Sequence, residues 1–331
     1  MDFLQSIYLK AKKLNKKIVL PETEDPRILA AAEVLAKNKL AKITLVGNPD
    51  EINKLAAERG LDLSQAKIIN PRQSEYTHDF SEMLYARRKN KGMTPDEAAK
   101  IMLNDNVYFG CYLIKAGLAD GLVSGSMNPT THTIQAAVYS VGLAENSSLI
   151  SSFFVMLLPD TSFGVNGIMF FADCGVVPDP NAEQLAEIAM QTTNSFKKLI
   201  DRTPRVAMLS FSTKGSAKHP SLEKVVQATE IVKQKMPKLA VDGELQLDAA
   251  IIPAVAKKKA RGSNVAGKAN ILIFPDLTSG NIGYKIAERI GKATAVGPIF
   301  QGCAKPINDL SRGCSVDDIV NVSVITCLQV K

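Results

Sequence analysis

The sequence predicts an α/β protein with mostly parallel sheets. Two observations support this prediction: short apolar segments alternate with helical patterns along the chain, and 46% of the 331 residues are hydrophobic while 22% are charged. Such alternation is typical of a parallel sheet covered by helices on both faces. The composition is that of a globular protein, and the length allows one large domain or two ordinary ones.

Ten apolar segments are predicted as strands: 17–20, 43–46, 67–69, 120–124, 150–158, 167–172, 205–209, 240–242, 270–274 and 293–296. One helix is expected to begin after Thr94, with proline in its first turn and an acidic N3 residue. Another is expected to begin near Asn181, because apolar positions follow it at helical spacing. Segments 148–158 and 167–173, joined by a turn, predict a hairpin and a change of architecture near residue 148.

Cysteine, histidine and charge content exclude several classes of function. The five cysteines are scattered without a CxxC pair, and the three histidines lack ligand spacing, so we expect no disulfide framework and no metal site. A net charge of +7 predicts an anionic partner, but sparse aromatic residues argue against nucleic acid. With no membrane-length apolar run and no secretory pattern at the N-terminus, we expect no membrane association and a cytoplasmic location.

Residues 308–318 combine hydroxyls, a guanidinium, a glycine, a thiol and carboxylates just before an apolar run. A guanidinium can hold an oxyanion with paired donors, and a carboxylate can accept a proton, so this composition suits a reaction centre. Residues 315–318 of this segment also fit a helix-capping box, with Ser315 as N-cap and Asp318 at N3. Spacing alone favours the helix start over catalysis.

Segment 305–315, KPINDLSRGCS, resembles the C-terminal signature of phosphate acetyltransferases, which move an acetyl group between coenzyme A and phosphate. Further segments resemble that family in the same order: 210–217, 241–246, 253–270 and 274–285. The resemblance implies two α/β domains of the isocitrate/isopropylmalate dehydrogenase type, with the active site in the interdomain cleft. Domain I would comprise 1–147 and 298–331, domain II would be inserted as 148–297, and the protein would be a homodimer.

The resemblance also implies roles for individual residues. Asp318 would deprotonate the coenzyme A thiol, Ser311 would hydrogen-bond at the sulfur, and Arg312 would hold the phosphate of acetyl phosphate. The other implied ligands are Ser126, Thr131 and Lys285 for acetyl phosphate, and Arg88, Arg289 and Gln135 for coenzyme A.

Many relatives carry arginine where Gln135 stands, which makes that position a departure from the family pattern. The expected partners are coenzyme A, acetyl-CoA, acetyl phosphate and inorganic phosphate, with no tightly bound cofactor and no metal. Loops 210–218 and 279–285 are expected to line the site, with Asn281 as a helix N-cap. Cys314 has no histidine base near it in the sequence, so we interpret it as structural.

Three alternatives stay open at this point. A phosphate butyryltransferase, or another short-chain phosphate acyltransferase, would share the reaction and the fold and differ in the acyl pocket. A catalytically silent acyl-CoA sensor would share the fold alone, but the intact set Ser311, Arg312 and Asp318 argues against it. A hydride-transferring relative of the isocitrate dehydrogenase type lacks support, because no metal-binding aspartate cluster is evident.

Overall fold

The structure is a computed structural model that describes residues 3–330. It divides into two compact units. The first unit is formed by the residues before Ser147 and after Gly302, and the second unit is Ser147–Gly302. The return to the first unit thus follows Gly302, whereas the family pattern placed it at 297/298. The physical reason is that strand Thr294–Gln301 pairs with Ser151–Leu157 at residues 294–296 and, beyond a bulge, again at 299–301, which keeps the end of this strand in the second unit.

In chain order, the structure begins with α1 (Phe3–Leu14), β1 (Lys17–Leu20), α2 (Pro26–Lys37), β2 (Lys42–Val46), α3 (Pro49–Glu58), β3 (Lys67–Ile69), α4 (Thr77–Arg88), α5 (Pro95–Asn104), α6 (Asn106–Lys115), β4 (Gly121–Val123) and α7 (Thr130–Ser140). The second unit contains β5 (Ser151–Leu157), β6 (Ile168–Ala172), α8 (Ala182–Leu199), β7 (Arg205–Leu209), α9 (Pro220–Lys235), β8 (Ala240–Leu245), α10 (Leu247–Ile251), α11 (Pro253–Lys259), β9 (Ile271–Ile273), α12 (Leu277–Arg289) and β10 (Thr294–Gln301). The chain ends with β11 (Ile307–Asn308) and α13 (Val316–Gln329).

The first unit is built on a five-stranded sheet in the order β11-β4-β1-β2-β3, and all its pairings are parallel. Helices α2 and α13 pack together and α13 lies against β1 and β4, while α6 contacts β2 and β4 within a cluster formed by α4 to α7. Phe80 packs against Phe109 and Tyr112 in that cluster. Strands buried on both sides explain why their sequences are continuous apolar runs.

The second unit is built on a six-stranded mixed sheet in the order β10-β5-β6-β9-β7-β8. Its β5–β6 pairing is antiparallel, which confirms the predicted hairpin, and β6, β9, β7 and β8 run parallel. Neighbouring phenylalanines of β5 point to opposite faces, as the strand period requires. Phe153 stacks on Phe170, which meets Phe196 of α8, whereas Phe154 stacks on Tyr284 of α12.

Two predicted helix starts are confirmed in detail. Thr94 and Glu97 form a capping box at α5, and Asn181 and Gln184 form one at α8. All ten predicted strands are present, three of them with the predicted bounds: 17–20, 67–69 and 205–209. The strand β11 was not predicted, because it has only two residues and one of them, Asn308, is polar like the Asp309 that follows.

Candidate active site

The predicted reaction segment lies at the carboxyl edge of the parallel sheet of the first unit. Residues 21–25 follow β1, residues 124–129 follow β4 and residues 309–315 follow β11, and these three strands are neighbours. The strand order reverses between β1 and β4, since β2 and β3 lie on one side and β11 on the other. Open α/β sheets bind ligands outside the carboxyl ends of their strands at such a reversal.

Glu22 holds the loop that follows β4. Its side chain is only 2% exposed, and its two carboxylate oxygens accept hydrogen bonds from the backbone N–H groups of residues 125, 126, 127 and 128 at 2.7 to 3.1 Å. The Ser126 hydroxyl and the Asn128 amide donate to it as well, at 3.0 and 2.9 Å. A hydroxyl has one proton to donate, so in this arrangement Ser126 can only accept a further hydrogen bond.

Asp309 fixes the same loop from the β11 side. Its Oδ2 accepts a hydrogen bond from Thr130 Oγ1 at 2.6 Å, at the start of α7. Gly125 has a φ of +104°, and a Cβ there would lie 2.2 Å from Asp309 Oδ1, so this close approach requires glycine. The carboxyl is 1% exposed, and Oδ1 has no partner within residues 3–330. Burial raises the pKa of Asp309 to about 7.

Arg27 connects the loops after β1, β4 and β11. Its Nε and Nη2 pair with both oxygens of Asp25 at 2.6 to 3.1 Å. Its Nη1 donates to the backbone carbonyls of Arg312 and Cys314 at 2.9 and 2.7 Å, and its Nη2 also donates to the Ser126 carbonyl at 3.2 Å. Although burial of Asp25 opposes its ionisation, the hydrogen bonds that it accepts from the side chain and the backbone N–H of Arg27 hold its pKa below the ordinary value. Arg27 thus fixes the backbone on which Arg312 stands.

Ser311 and Arg312 are exposed on this edge, while Cys314 next to them is buried. No residue in the described part of the chain pairs with the Arg312 guanidinium, which leaves its donors available. Burial raises the pKa of the Cys314 thiol to about 11. A thiol with so high a pKa is a poor nucleophile, so the structural interpretation of Cys314 is supported.

Asp318 occupies the N3 position of α13. Its Oδ2 accepts hydrogen bonds from the backbone N–H and the hydroxyl of Ser315, both at 2.8 Å, and the Ser315 hydroxyl accepts from the Asp318 N–H at 3.1 Å. This is the capping box that the sequence predicted. The box fixes the direction of the carboxylate, while the neighbouring Asp317 is exposed. A fixed orientation is compatible with both a capping role and a catalytic one.

A basic pocket lies elsewhere in the first unit, with a volume of about 460 Å³. Its lining includes Arg88, Lys91, Lys100, Gln135 and Tyr139, together with Glu97, which is engaged in the α5 capping box. The Arg88 guanidinium lies 3.8 Å from the centre of the Tyr139 ring and donates to its hydroxyl at 2.9 Å. Gln135 donates to the same hydroxyl at 3.2 Å. Two residues predicted to bind coenzyme A therefore share one pocket.

His132 links α7 to the start of α6. Its Nε2 lies 3.0 Å from Asp105 Oδ2, and its ring meets the Tyr108 ring edge-on. Asp105 also caps α6. The hydrogen bond to Asp105 raises the pKa of His132, against the opposing effect of burial and with a further contribution from Glu22. His132 stands directly after Thr131, which is exposed in the first turn of α7.

The His132–Asp105 pair predicts a pH dependence of stability. The pKa of His132 in the folded protein lies above the ordinary value of about 6.5, so the protonated ring stabilises the folded state. This stabilisation is complete below about pH 6.5 and is lost as the pH rises through the folded-state pKa. We expect the difference in unfolding free energy between the wild type and His132→Gln to be largest at acidic pH and to shrink on the alkaline side. Urea titrations from about pH 5.5 to about pH 8.5 span this range, and a difference that grows with pH would contradict the assignment.

Lys285 and Arg289 lie on α12 of the second unit. Lys285 donates to Asn281 at 2.8 Å, and Arg289, whose side chain is 79% exposed, is 3.2 Å from Glu288. The prediction of Asn281 as N-cap is wrong. The N-cap is Asp276, whose carboxylate accepts a hydrogen bond from the Ser279 N–H at 2.8 Å. The helix therefore begins at Leu277, about one turn before the start that the prediction had placed near Gly280.

Loop 210–217 of the second unit also donates hydrogen bonds to a carboxylate of the chain itself, that of Glu244 in β8. The buried carboxylate of Glu244 accepts from the Ser212 hydroxyl at 2.9 Å and from the Gly215 N–H at 2.7 Å. Lys214 in the same loop pairs with Asp242. These donors, which the sequence suggested for a phosphate, are thus engaged with the chain itself.

Sequence reasoning missed Glu22, Arg27 and Asp309 as residues of the candidate site. The signal was available, since the first two follow the predicted strand 17–20 closely and the third lies within segment 308–318, whose composition suited a reaction centre. Charged residues at the carboxyl ends of parallel strands meet at one edge of the sheet. Within residues 3–330, no group of histidine, cysteine, aspartate and glutamate is arranged to hold a metal ion, and no helix has the length and apolarity that crossing a membrane needs.

The chain resembles known proteins along almost its whole length. The family model described as Phosphate acetyl/butaryl transferase matches residues 2–327. A phosphate acetyltransferase of Thermoanaerobacterium thermosaccharolyticum is 53% identical over 99% of both chains. A crystal structure of a phosphotransacetylase from Streptococcus pyogenes has a TM-score of 0.92 at 43% identity, covering 99% of each chain.

A 4-hydroxythreonine-4-phosphate dehydrogenase from Klebsiella pneumoniae covers 95% of this chain and 99% of its own, with a TM-score of 0.52 at 12% identity, and shares the fold alone. The predicted fold class is confirmed by these likenesses. The close relatives show that the chain is an acyltransferase with phosphate acetyltransferase activity, and it belongs to the Phosphate acetyl/butaryl transferase family.

Proposed function

We propose that the reaction proceeds by direct attack of the coenzyme A thiolate on the carbonyl carbon of acetyl phosphate. The carbon–sulfur bond of acetyl-CoA forms, the bond from that carbon to the phosphate oxygen breaks, and inorganic phosphate leaves. The observation that carries this proposal is the grouping of Ser311, Arg312 and Asp318 at the carboxyl edge of one parallel sheet. The reverse reaction uses the same groups.

Asp318 is the proposed base. A thiol with an ordinary pKa of about 8.5 is only a few per cent ionised at neutral pH, a deficit of about 2 kcal/mol that a positioned carboxylate removes. The capping box supports this role, because the two hydrogen bonds from Ser315 hold the carboxylate in one orientation. Ser311, exposed on the loop before it, is proposed to hydrogen-bond at the sulfur.

Arg312 is proposed to hold the phosphate of acetyl phosphate. Its exposed guanidinium can form paired hydrogen bonds with phosphate oxygens, and it would stabilise the charge that grows on the departing phosphate. Thr131 at the start of α7 and Lys285 are proposed as further ligands of this group. Ser126 is proposed to donate its hydroxyl proton to this phosphate when the substrate is bound. That proton then turns away from Glu22, whose carboxylate keeps its five other donors from residues 125–128.

Coenzyme A is proposed to place its 3′-phosphate in the basic pocket. Arg88, Lys91 and Lys100 give this pocket its positive charge. A phosphate monoester is a suitable ligand for such a group of cations. Arg289 is proposed as an additional cation for coenzyme A, because its side chain is largely exposed and therefore accessible to a ligand.

Gln135 is predicted to weaken recognition of that 3′-phosphate. A neutral amide gives up a charge-assisted contact worth about 1.5 to 3 kcal/mol. We therefore expect Gln135→Arg to lower KM for coenzyme A by about tenfold or more and to leave KM for dephospho-coenzyme A nearly unchanged. Michaelis constants for both substrates across a salt series measure the effect.

The matched control is Gln65→Arg, which adds the same charge at an exposed position outside the pocket lining. It should change both Michaelis constants equally and slightly. An equal effect of Gln135→Arg on the two substrates would show that residue 135 does not sense the 3′-phosphate and only packs along α7.

Direct attack also predicts the kinetic order. Both substrates must be bound at once, so initial-rate plots should intersect, and Cys314→Ala should keep at least about half of the wild-type kcat because the buried thiol takes no part in catalysis. Steady-state kinetics of both proteins measure this. An acetyl-enzyme that can be isolated from the wild type and is absent from the variant would contradict the mechanism.

The assay that tests the proposed function is thioester formation from coenzyme A with acetyl, propionyl and butyryl phosphate. We expect kcat/KM to be highest with acetyl phosphate. A preference for butyryl phosphate would favour the short-chain alternative, and binding of acyl-CoA without turnover would favour a silent sensor.

A homodimer is also proposed. Ile282 and Ile286 of α12 and Ile290 directly after it are 52% to 76% exposed and recur every four residues, which gives this helix and its C-terminal end one apolar stripe. A second copy of the chain is the proposed occupant of this stripe. Sedimentation of Ile286→Lys, with the exposed Leu14→Lys as control, tests it, and an unchanged oligomeric state in Ile286→Lys would exclude α12 from the interface.

The cytoplasm is the proposed compartment. All five cysteines are free in the structure, and four of them are buried. Unpaired thiols of this kind fit a reducing environment, since oxidising compartments favour disulfides.

A further inference from the structure

Glu22 is connected to Arg312 through a short series of hydrogen bonds. Its carboxylate receives six donors from residues 125–128, four of them backbone N–H groups. Ser126 gives it both its N–H and its hydroxyl proton, and the Ser126 carbonyl accepts from Arg27. Arg27 in turn donates to the Arg312 carbonyl.

The loop has little freedom to adopt another conformation while this carboxylate is present. Gly125 is confined by Asp309 on the other side, where a Cβ would lie 2.2 Å from Oδ1. Without Glu22, the four N–H groups would lose their acceptor in a region where Ser126 is only 3% exposed, and unpaired buried donors are costly. The loop would therefore rearrange, and the Ser126 carbonyl would move away from Arg27.

We infer that Glu22 is a positioning residue for the transfer reaction, which sets the place of Ser126 and, through Arg27, of the backbone that carries Arg312. It touches no substrate, because its two oxygens are fully engaged by the loop. This inference rests on the proposed role of Arg312. The two fail separately, since the role of Arg312 is tested with Arg312 variants and that of Glu22 with its own variants.

The test compares Glu22→Ala and Glu22→Gln with the matched control Glu24→Ala, an exposed glutamate two residues along the same loop. Glu22→Gln places an amide donor against backbone N–H groups, because each carboxylate oxygen accepts from two of them. We expect both Glu22 variants to lower kcat about 10- to 100-fold, to raise KM for acetyl phosphate and to change KM for coenzyme A less. Glu24→Ala should keep wild-type values. Thermal melts followed by circular dichroism establish that each variant is folded.

Formate provides the readout that a general loss of stability would not give. A free carboxylate can occupy the space left by Glu22→Ala and accept from the same N–H groups. Formate at about 10 to 100 mM should therefore restore part of the lost kcat, while chloride should not. The same formate should do nothing for Glu22→Gln, whose side chain fills the space.

Two results would overturn the inference. One is a kcat within about twofold of the wild type in either folded variant. The other is a folded Glu22→Ala whose lost activity formate does not restore. Should Glu22→Ala fail to fold, kcat of Glu22→Gln decides alone.

Discussion

Replacing Asp318 with asparagine is expected to lower kcat by about 10² to 10⁴ while leaving both Michaelis constants nearly unchanged. Asparagine keeps one oxygen that can accept from the Ser315 N–H, so most of the capping box survives. The variant loses only the ability to take the thiol proton. Steady-state kinetics together with a urea titration separate catalysis from stability, because the unfolding free energy should fall by no more than about 1 kcal/mol.

Asp317→Asn is the matched control, since Asp317 is exposed on the same first turn of α13. It removes an equal charge from the same helix terminus, so it should alter kcat by less than about threefold. An Asp318→Asn variant with near-wild-type turnover would leave Asp318 with the capping role alone.

Replacing Arg312 with glutamine is expected to lower kcat by about 10² to 10³, because the guanidinium opposes the charge that grows on the departing phosphate. Arg312→Lys should recover only part of this loss, since an ammonium cannot form the paired hydrogen bonds of a guanidinium. Turnover measured at saturating acetyl phosphate isolates the transition-state effect from substrate binding.

The control is Arg59→Gln, which removes a charge at the exposed C-terminal end of α3. Its kcat should equal that of the wild type, and the ionic-strength dependence of kcat/KM should change only slightly. An Arg312→Gln variant that raises KM and keeps kcat would show that Arg312 binds the substrate without stabilising the transition state.

Sequence periodicity predicted the elements of the fold well because the strands are buried on both sides. Segment 205–209, for example, is apolar after its first residue and is followed by polar residues, so the sequence itself shows where the strand begins and ends. β11 is different, since its two residues pair with β4 and owe their strand conformation to that neighbour. The start of α12 was misplaced for a similar reason, as the Asp276 side chain and not Asn281 provides the cap.

The candidate site was predictable where a motif is contiguous. Residues 311–318 stand together in sequence and on one edge of the sheet, and the capping box at Asp318 followed from local spacing. Contacts of Glu22 and Arg27 join positions about one hundred to almost three hundred residues apart. Such contacts depend on strand order, and neither motif spacing nor composition contains that information.

Loops that present several backbone N–H groups are natural targets for inhibitors that carry a phosphate. Here the loop of residues 125–128 and the loop around Gly215 hold carboxylates of the chain itself, Glu22 and Glu244. A tethered group acts at an effective concentration of about millimolar or higher, so a free anion must outcompete it before it gains any contact. Selective inhibitors of this chain should therefore be directed at the exposed guanidinium of Arg312, where no internal competitor from residues 3–330 is bound.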